Sequence, residues 1–267
     1  MKLNIVPART GVLWFKLGVR TFFKQPLALS GLFFMFMAVM SVLTLIPVIG
    51  NVLALALLPG ATLGLMAATE ETTKGKFPMP TVLLSAFKAG RQQLRAMLVL
   101  GLLYAAGFLL VLAISATLDG GKFAHLYLIG GSMSAETLQE SDFESAVLLA
   151  MLLYMPLSLL FWHAPALVHW HGVAPVKSLF FSMVACLRNF WAFTVYSLVW
   201  LGAFIAMGMV VAVIAAVIGS PEAVSGIMFP VAMLMAAMFF TSIYFSFRDC
   251  FDDSTNLVPK APADPVG

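Results

Sequence analysis

Charged residues are scarce in this chain. Asp, Glu, Lys and Arg together make up 10% of its 267 residues, and apolar residues make up 61%. A typical soluble domain carries roughly 25% charged residues. The composition therefore excludes an ordinary soluble domain, a disordered chain and a collagen-like repeat. It predicts an all-α, polytopic membrane protein.

Motifs that carry chemistry are also missing. The sequence contains no phosphate-binding loop, no HExxH motif and no GxSxG motif. No Asp, Glu, Lys or Arg lies in the middle of an apolar run, whereas ion-coupled transporters place such groups near the membrane midplane. We therefore expect that the protein is not an enzyme, that it binds no cofactor, and that nucleic acid is not a partner.

Six apolar runs are long enough to be membrane spans, each of which needs about 20 residues. Basic residues precede the first run without a short signal-peptide core, so that run is expected to be an uncleaved anchor. Residues 1–251 form one predicted six-span domain, and 252–267, rich in proline and polar residues, form a predicted disordered tail. The predicted spans are 27–46, 52–68, 96–118, 146–168, 191–218 and 224–247.

The basic residues are distributed very unevenly between the predicted loops. If the N-terminus is cytoplasmic, every one of the 15 Lys and Arg residues except Lys122 lies on the cytoplasmic side. The positive-inside rule then predicts a bacterial inner-membrane protein with both termini in the cytoplasm. The two cysteines, Cys186 and Cys250, also fall on that side, where a reducing compartment suits unpaired thiols.

A short basic, amphipathic segment precedes the first, third and fifth spans. These segments are 11–25, 81–93 and 175–189, and each contains a basic residue followed by an amide residue near its end. We interpret them as the first part of three repeats, each made of an interfacial helix, a span, a turn and a span. The alternative is that any loop entering a membrane from the cytoplasm collects basic residues.

Interfacial helices bury an apolar face at the headgroup level and present Lys and Arg to anionic lipid. The expected partners are therefore anionic headgroups of the cytoplasmic leaflet. We call the predicted headgroup-binding residues the basic collar. They are Lys16, Arg20, Lys24, Lys88, Arg91, Arg95, Lys177 and Arg188.

A few polar residues inside the apolar runs are candidate functional groups. Asn51 and His163 are candidates for a polar path through the membrane, although an asparagine in a turn often only closes it. His163, His169 and His171 could bind a metal or haem only if their helix broke near Gly172. Packing and an interfacial aromatic belt are the favoured interpretation of these histidines, so no metal site is predicted.

Three short stretches carry a family resemblance: 162–168, the turn 46–50 and the step 58–60. Together they resemble a group of bacterial six-span inner-membrane proteins. That group is similar in turn to YciC-like proteins and to the membrane domain that precedes some glycerophosphodiester phosphodiesterases. The resemblance covers about residues 10 to 250. It implies a fold and a location, and it implies no activity and no functional residues.

These patterns favour a non-enzymatic, lipid-interacting protein that organises the membrane, or binds or transports lipid or another apolar molecule. An accessory subunit or assembly factor of a membrane complex is an alternative, since Gly60 and Gly64 form a GxxxG motif that permits close helix approach. A transporter for a neutral or hydrophobic solute is the other alternative, with Asn51 and His163 along its path.

Overall fold

The computed structural model describes residues 2–132, 134–218 and 221–251, and the predicted disordered tail lies outside this range. Regular structure in the described residues is helical throughout. A 3₁₀ helix, Pro80–Leu84, leads directly into α4. The α-helices are α1 (Thr10–Phe22), α2 (Pro26–Thr44), α3 (Ile49–Thr73), α4 (Ser85–Lys88), α5 (Arg91–Asp119), α6 (Lys122–Ile129), α7 (Ala135–Leu138), α8 (Ser141–Phe161), α9 (Ala164–His171), α10 (Pro175–Arg188), α11 (Phe190–Ile218) and α12 (Pro221–Phe251).

Six helical stretches of the described residues are long and apolar enough to cross a membrane. They are α2, α3, α5, the α8–α9 stretch, α11 and α12, which confirms the predicted six-span all-α class. The second span is longer than its predicted bounds of 52–68. Val48 has a positive φ of 62° and ends the preceding turn, so α3 begins at Ile49 and extends to Thr73.

The fourth span is broken into two helices, whereas the sequence predicted one continuous span. α8 ends at Phe161 and α9 begins at Ala164. Pro165 has no backbone N–H, so it cannot donate to the Phe161 carbonyl one turn earlier. The break therefore has a local covalent cause, and a side chain from another helix completes it, as described below.

The segments that precede the spans pack against helix pairs in a cyclic order. α10 packs against α8 and α9, and the segment 80–88 packs against α3. Each of these contacts the span pair that comes before it in the chain. α1 has no preceding pair and instead packs against α11 and α12, the last pair. The three predicted repeat units are thus interlocked, and α1 closes the ring.

Two glycines allow α1 to approach the last pair closely. A Cβ atom at Gly18 would lie 2.7 Å from the Cα atom of Ser242, and one at Gly11 would lie 2.7 Å from the backbone nitrogen of Tyr196. Trp14 lies between the two glycines along the same face and is fully buried. α1 is therefore packed into the protein on this face as well as being basic on its other side.

The second pre-span segment is shorter than the predicted helix of 81–93. Gly90 has a φ of 115°, which ends the segment, and Arg91 already begins the span helix α5. Arg91 and Arg95 consequently belong to α5. This segment packs against Gly60 and Gly64 of the GxxxG motif. A Cβ atom at Gly60 would lie 2.7 Å from Phe87, and one at Gly64 would lie 2.7 Å from Leu83.

Candidate functional site

The basic collar lies at the end of the bundle where the chain termini of the described region meet. The backbone N–H of Asn4 donates to the Cys250 carbonyl at 2.9 Å, which joins the N-terminal segment to the end of α12. All eight side chains of the collar are exposed. None of them forms an ion pair with a carboxylate among the described residues. The collar is therefore a set of available cations at one end of the bundle.

The opposite end of the bundle has a different charge arrangement. Its basic residue, Lys122, is paired with Glu140. Asp119 accepts the backbone N–H groups of Gly121 and Phe123 at 2.8 and 2.7 Å, and so caps the start of α6. The two ends thus differ in that Lys122 is ion-paired at one, whereas at the other Lys74 and Arg248 pair with Glu70 and Asp249 and the eight collar residues have no ion-pair partner among the described residues.

Two amide side chains, of which Asn189 is buried, fix the pre-span segments in place. Asn189, just before α11, accepts the N–H of Val6 at 2.8 Å and donates to the Asn4 carbonyl at 3.1 Å. Gln25, just before α2, donates to the Lys76 carbonyl at 3.2 Å. Both amides therefore bind the backbone that leads into another pre-span segment. The basic–amide pairs in the sequence were the signal for this role, which sequence analysis did not assign.

A buried hydrogen bond fixes the first pre-span helix to the end of the last span. The Trp14 indole N–H donates to a carboxylate oxygen of Asp249 at 3.0 Å. The other oxygen of Asp249 accepts from the Arg248 guanidinium at 2.8 Å. The side chain of Asp249 is only 12% exposed, so these two donors balance most of the cost of burying its charge.

His163 lies at the break between α8 and α9 and is completely buried. Its ring centroid lies 5.8, 5.9 and 5.4 Å from those of Phe193, Phe247 and Phe251. Neither ring nitrogen has a hydrogen-bond partner among the described residues. The imidazole is therefore held by aromatic packing between α9, α11 and α12.

The Ser182 hydroxyl completes the backbone at this break. It accepts the backbone N–H of His163 at 2.9 Å and donates to the Leu159 carbonyl at 2.8 Å. In a continuous helix these two backbone groups would bond to each other, because they are four residues apart. A side chain of α10 is thus inserted into the hydrogen-bond ladder of the fourth span.

The other histidines of α9 also pack against aromatic rings. The ring centroids of His169 and Trp170 are 5.8 Å apart, as are those of His171 and Phe247. Within the described residues, no group of three or more His, Cys, Asp or Glu side chains could hold a metal ion. This geometry favours the packing interpretation of the three histidines.

Asn51 and His163 use different partners in the structure. The Asn51 amide donates to the Leu128 carbonyl at 2.9 Å, and the N–H of Val48 donates to the same oxygen. These bonds fasten the turn before α3 to α6, while His163 contacts α11 and α12. A polar path that links the two residues stays a prediction.

A small, partly open cavity of about 160 Å³ lies among α3, α5, α8, α9 and α12. Polar groups on its wall include Thr62, Ser158 and the hydroxyls of Tyr104 and Tyr154, which lie 3.2 Å apart. This volume holds a few water molecules, at about 30 Å³ each. It is smaller than the ~300 Å³ of the smallest usual ligand pockets. Sequence analysis missed it because its walls come from distant segments.

The described residues have six apolar spans, an end that carries the basic collar, and an opposite end where Lys122 is ion-paired. These features define a polytopic α-helical membrane protein. The chain is 38% identical over 265 residues to a probable inner membrane protein of Burkholderia thailandensis, and the alignment covers 98% of each chain. It belongs to this family of inner membrane proteins, which confirms the membrane class implied by the sequence resemblance. No family model and no solved structure matches the chain.

Proposed function

We propose that this protein is a non-enzymatic, lipid-interacting protein of the inner membrane that binds anionic headgroups of the cytoplasmic leaflet through its basic collar. The observation that carries the proposal is the exposure of all eight collar side chains without an ion-pair partner among the described residues. Cations in this state remain available to an external anion. For a membrane protein, the nearest source of such anions is the phosphate groups of the lipid surface.

The attraction between the collar and an anionic membrane increases with the number of collar charges. Each Lys or Arg near an anionic membrane surface contributes on the order of 1 kcal/mol. The collar residues come from three separate segments, so the attraction acts around the bundle. Membrane organisation, or binding or transport of lipid or another apolar molecule, is the role that such a surface supports.

The basic end is proposed to face the cytoplasm, with both termini on that side, following the positive-inside rule. Two exposed positions test this orientation. We expect Ser132→Cys to react with a membrane-impermeant maleimide in intact spheroplasts, and Lys88→Cys to react only after permeabilisation. Both native thiols are buried and free, so they give a low background. The reverse labelling pattern would show that the orientation is wrong.

Lipid binding is tested with a variant in which the α1 and α10 parts of the collar are neutralised, leaving Lys88, Arg91 and Arg95 intact. The protein is reconstituted into phosphatidylethanolamine vesicles with and without phosphatidylglycerol, and enrichment of the anionic lipid around it is measured. We expect enrichment for the wild type and for Lys122→Gln, and a clear loss for the variant. Equal enrichment in all three proteins would overturn the proposal. The five substitutions are Lys16→Gln, Arg20→Gln, Lys24→Gln, Lys177→Gln and Arg188→Gln.

The GxxxG motif no longer supports the accessory-subunit alternative, because the protein's own segment 80–88 packs against Gly60 and Gly64. A protein that co-purifies at fixed stoichiometry, without selective lipid, would favour that alternative. Transport of a neutral solute would need a path along Asn51 and His163, and neither residue lines the small cavity among α3, α5, α8, α9 and α12. The finer likeness to YciC-like proteins and to the phosphodiesterase-linked membrane domain stays a prediction.

A further inference from the structure

A large apolar cavity opens on the flank of the bundle between α2, α3, α5 and the segment 80–88. Its volume is about 670 Å³, within the ~300–1,000 Å³ range of ligand pockets. α2 packs against α3 and α12, whereas α5 packs against α3 and α8. A space that borders α3 therefore remains between α2 and α5.

The walls of this cavity are hydrocarbon. Phe36 and Met40 come from α2, Ala61 from α3 and Leu98 from α5, while Phe87 closes the cavity on the side of the segment 80–88. Almost no polar surface is exposed inside it. Such a wall favours a hydrocarbon chain, and it gives a polar solute nothing to bind.

Cations stand at the edge of the same cavity. Arg91, Arg95 and Leu98 are spaced i, i+4 and i+7 along α5, so they share one face of that helix. Leu98 lines the cavity, and the two arginines are exposed on the next turns toward the basic end. Lys88 directly follows Phe87 and is exposed as well. The apolar cavity and a cationic cluster therefore adjoin along a few turns of α5.

We propose that this cavity binds one anionic glycerophospholipid, with an acyl chain against Leu98 and Ala61 and the phosphate at Arg91 and Arg95. The arginine fork matches phosphate geometry, and the chain follows the same helix face into the apolar space. This site rests on the proposed function and deepens it. The collar attracts anionic lipid in general, whereas the cavity selects a single bound molecule.

The test uses native mass spectrometry of the full chain, delipidated in detergent and supplied with phosphatidylglycerol or phosphatidylethanolamine. Ala61→Phe and Val39→Phe each place a ring in the cavity. Val39 is 50% exposed, so its replacement is compatible with folding, which a cooperative thermal transition checks. Ala206→Phe, at an exposed position on α11, is the matched control.

We expect the wild type and Ala206→Phe to retain one phosphatidylglycerol per chain, and both cavity variants to lower its occupancy about tenfold or more. Replacing Arg91 and Arg95 by Gln should lower phosphatidylglycerol occupancy to a similar degree and lower the weaker phosphatidylethanolamine binding less, because the ethanolamine cation offsets the charge of that lipid's phosphate.

Unchanged phosphatidylglycerol occupancy in folded Ala61→Phe and Val39→Phe would overturn this site. The proposed function is judged separately by the vesicle assay, whose variant leaves Arg91 and Arg95 intact. Equal binding of the two lipids by the wild type would overturn the anionic assignment. Tighter retention of oleic acid, supplied in a parallel sample, than of phosphatidylglycerol would overturn the choice of occupant.

Discussion

The hydroxyl of Ser182 accepts the backbone N–H of His163 at 2.9 Å and thereby joins α10 to the break in the fourth span. The same hydroxyl donates to the Leu159 carbonyl. A break in a transmembrane helix leaves backbone groups that lipid cannot satisfy, so protein groups must satisfy them. Ser182 does this for one N–H and one C=O, which links the third pre-span helix to the integrity of the second span pair.

We expect Ser182→Ala to destabilise the protein by about 1–3 kcal/mol, because it leaves the buried His163 N–H without its partner and leaves the Leu159 carbonyl with only the weak Cys186 thiol contact at 3.9 Å. The measurement is thermal or denaturant unfolding of the purified protein in detergent. Ser158→Ala serves as the control, since among the described residues that hydroxyl bonds only to the Met155 carbonyl of its own helix. If the two variants lose the same stability, the bridging role of Ser182 is wrong.

The docking of α1 depends on Gly18. A Cβ atom there would lie 2.7 Å from the Cα atom of Ser242, so Gly18→Ala is expected to push α1 away from α12 and lower the melting temperature. Gly31→Ala is the matched control, because no atom of the described part of the chain lies within 4 Å of a Cβ at Gly31. Alanine favours a helix over glycine by up to about 1 kcal/mol, so the control should be neutral or stabilising. Equal effects of both changes would contradict the close packing.

The parts of the fold that could be predicted from sequence are those that depend on local composition. Runs of apolar residues are enough to predict six spans, since every span must satisfy its own backbone in lipid. Pro165 gives the break near His163 a local cause, but Ser182, which satisfies the backbone groups at the break, lies 19 residues further along the chain than His163, and no local pattern reveals it. Gly11 and Gly18 are visible in the sequence, but their partner surface belongs to the last span pair.

The candidate sites divide in the same way. The eight cations of the collar are visible as charges near apolar runs, and their exposure follows from the cost of burying an unpaired charge. The apolar cavity could not be predicted, because it exists only where α2 and α5 lie on either side of α3. Arg91 and Arg95 acquire their relation to that cavity only through the backbone break at Gly90.

The hydrogen bond between Trp14 and Asp249 provides a third prediction. Trp14→Phe keeps an aromatic ring but removes the indole N–H that donates to the carboxylate at 3.0 Å. Hydrogen bonds to charged groups contribute about 1.5–3 kcal/mol, so we expect a loss of that order in unfolding experiments. Trp191→Phe is the control, since Trp191 is 70% exposed. If Asp249→Asn lowers the unfolding free energy of the Trp14→Phe variant as much as it lowers that of the wild type, the two residues are not coupled.

The pKa of Cys186 predicts how the unfolding free energy depends on pH in the alkaline range. Burial raises the pKa of its thiol to about 12, whereas an unperturbed thiol titrates near ~8.5. The folded chain therefore keeps the thiol neutral, and its contribution is fully present below about pH 8.5 and is lost as the pH rises toward 12. Each pH unit in this window costs about 1.4 kcal/mol from this group. Cys186→Ala removes the titrating group, so its unfolding free energy should fall less steeply than that of the wild type between about pH 9 and 11. The comparison is repeated with Cys250→Ala in both proteins, because the titration of the Cys250 thiol depends on its burial and then on the neighbouring Cys186 thiol. Parallel profiles for the two proteins would mean that the Cys186 thiol ionises as easily in the folded chain as in the unfolded one.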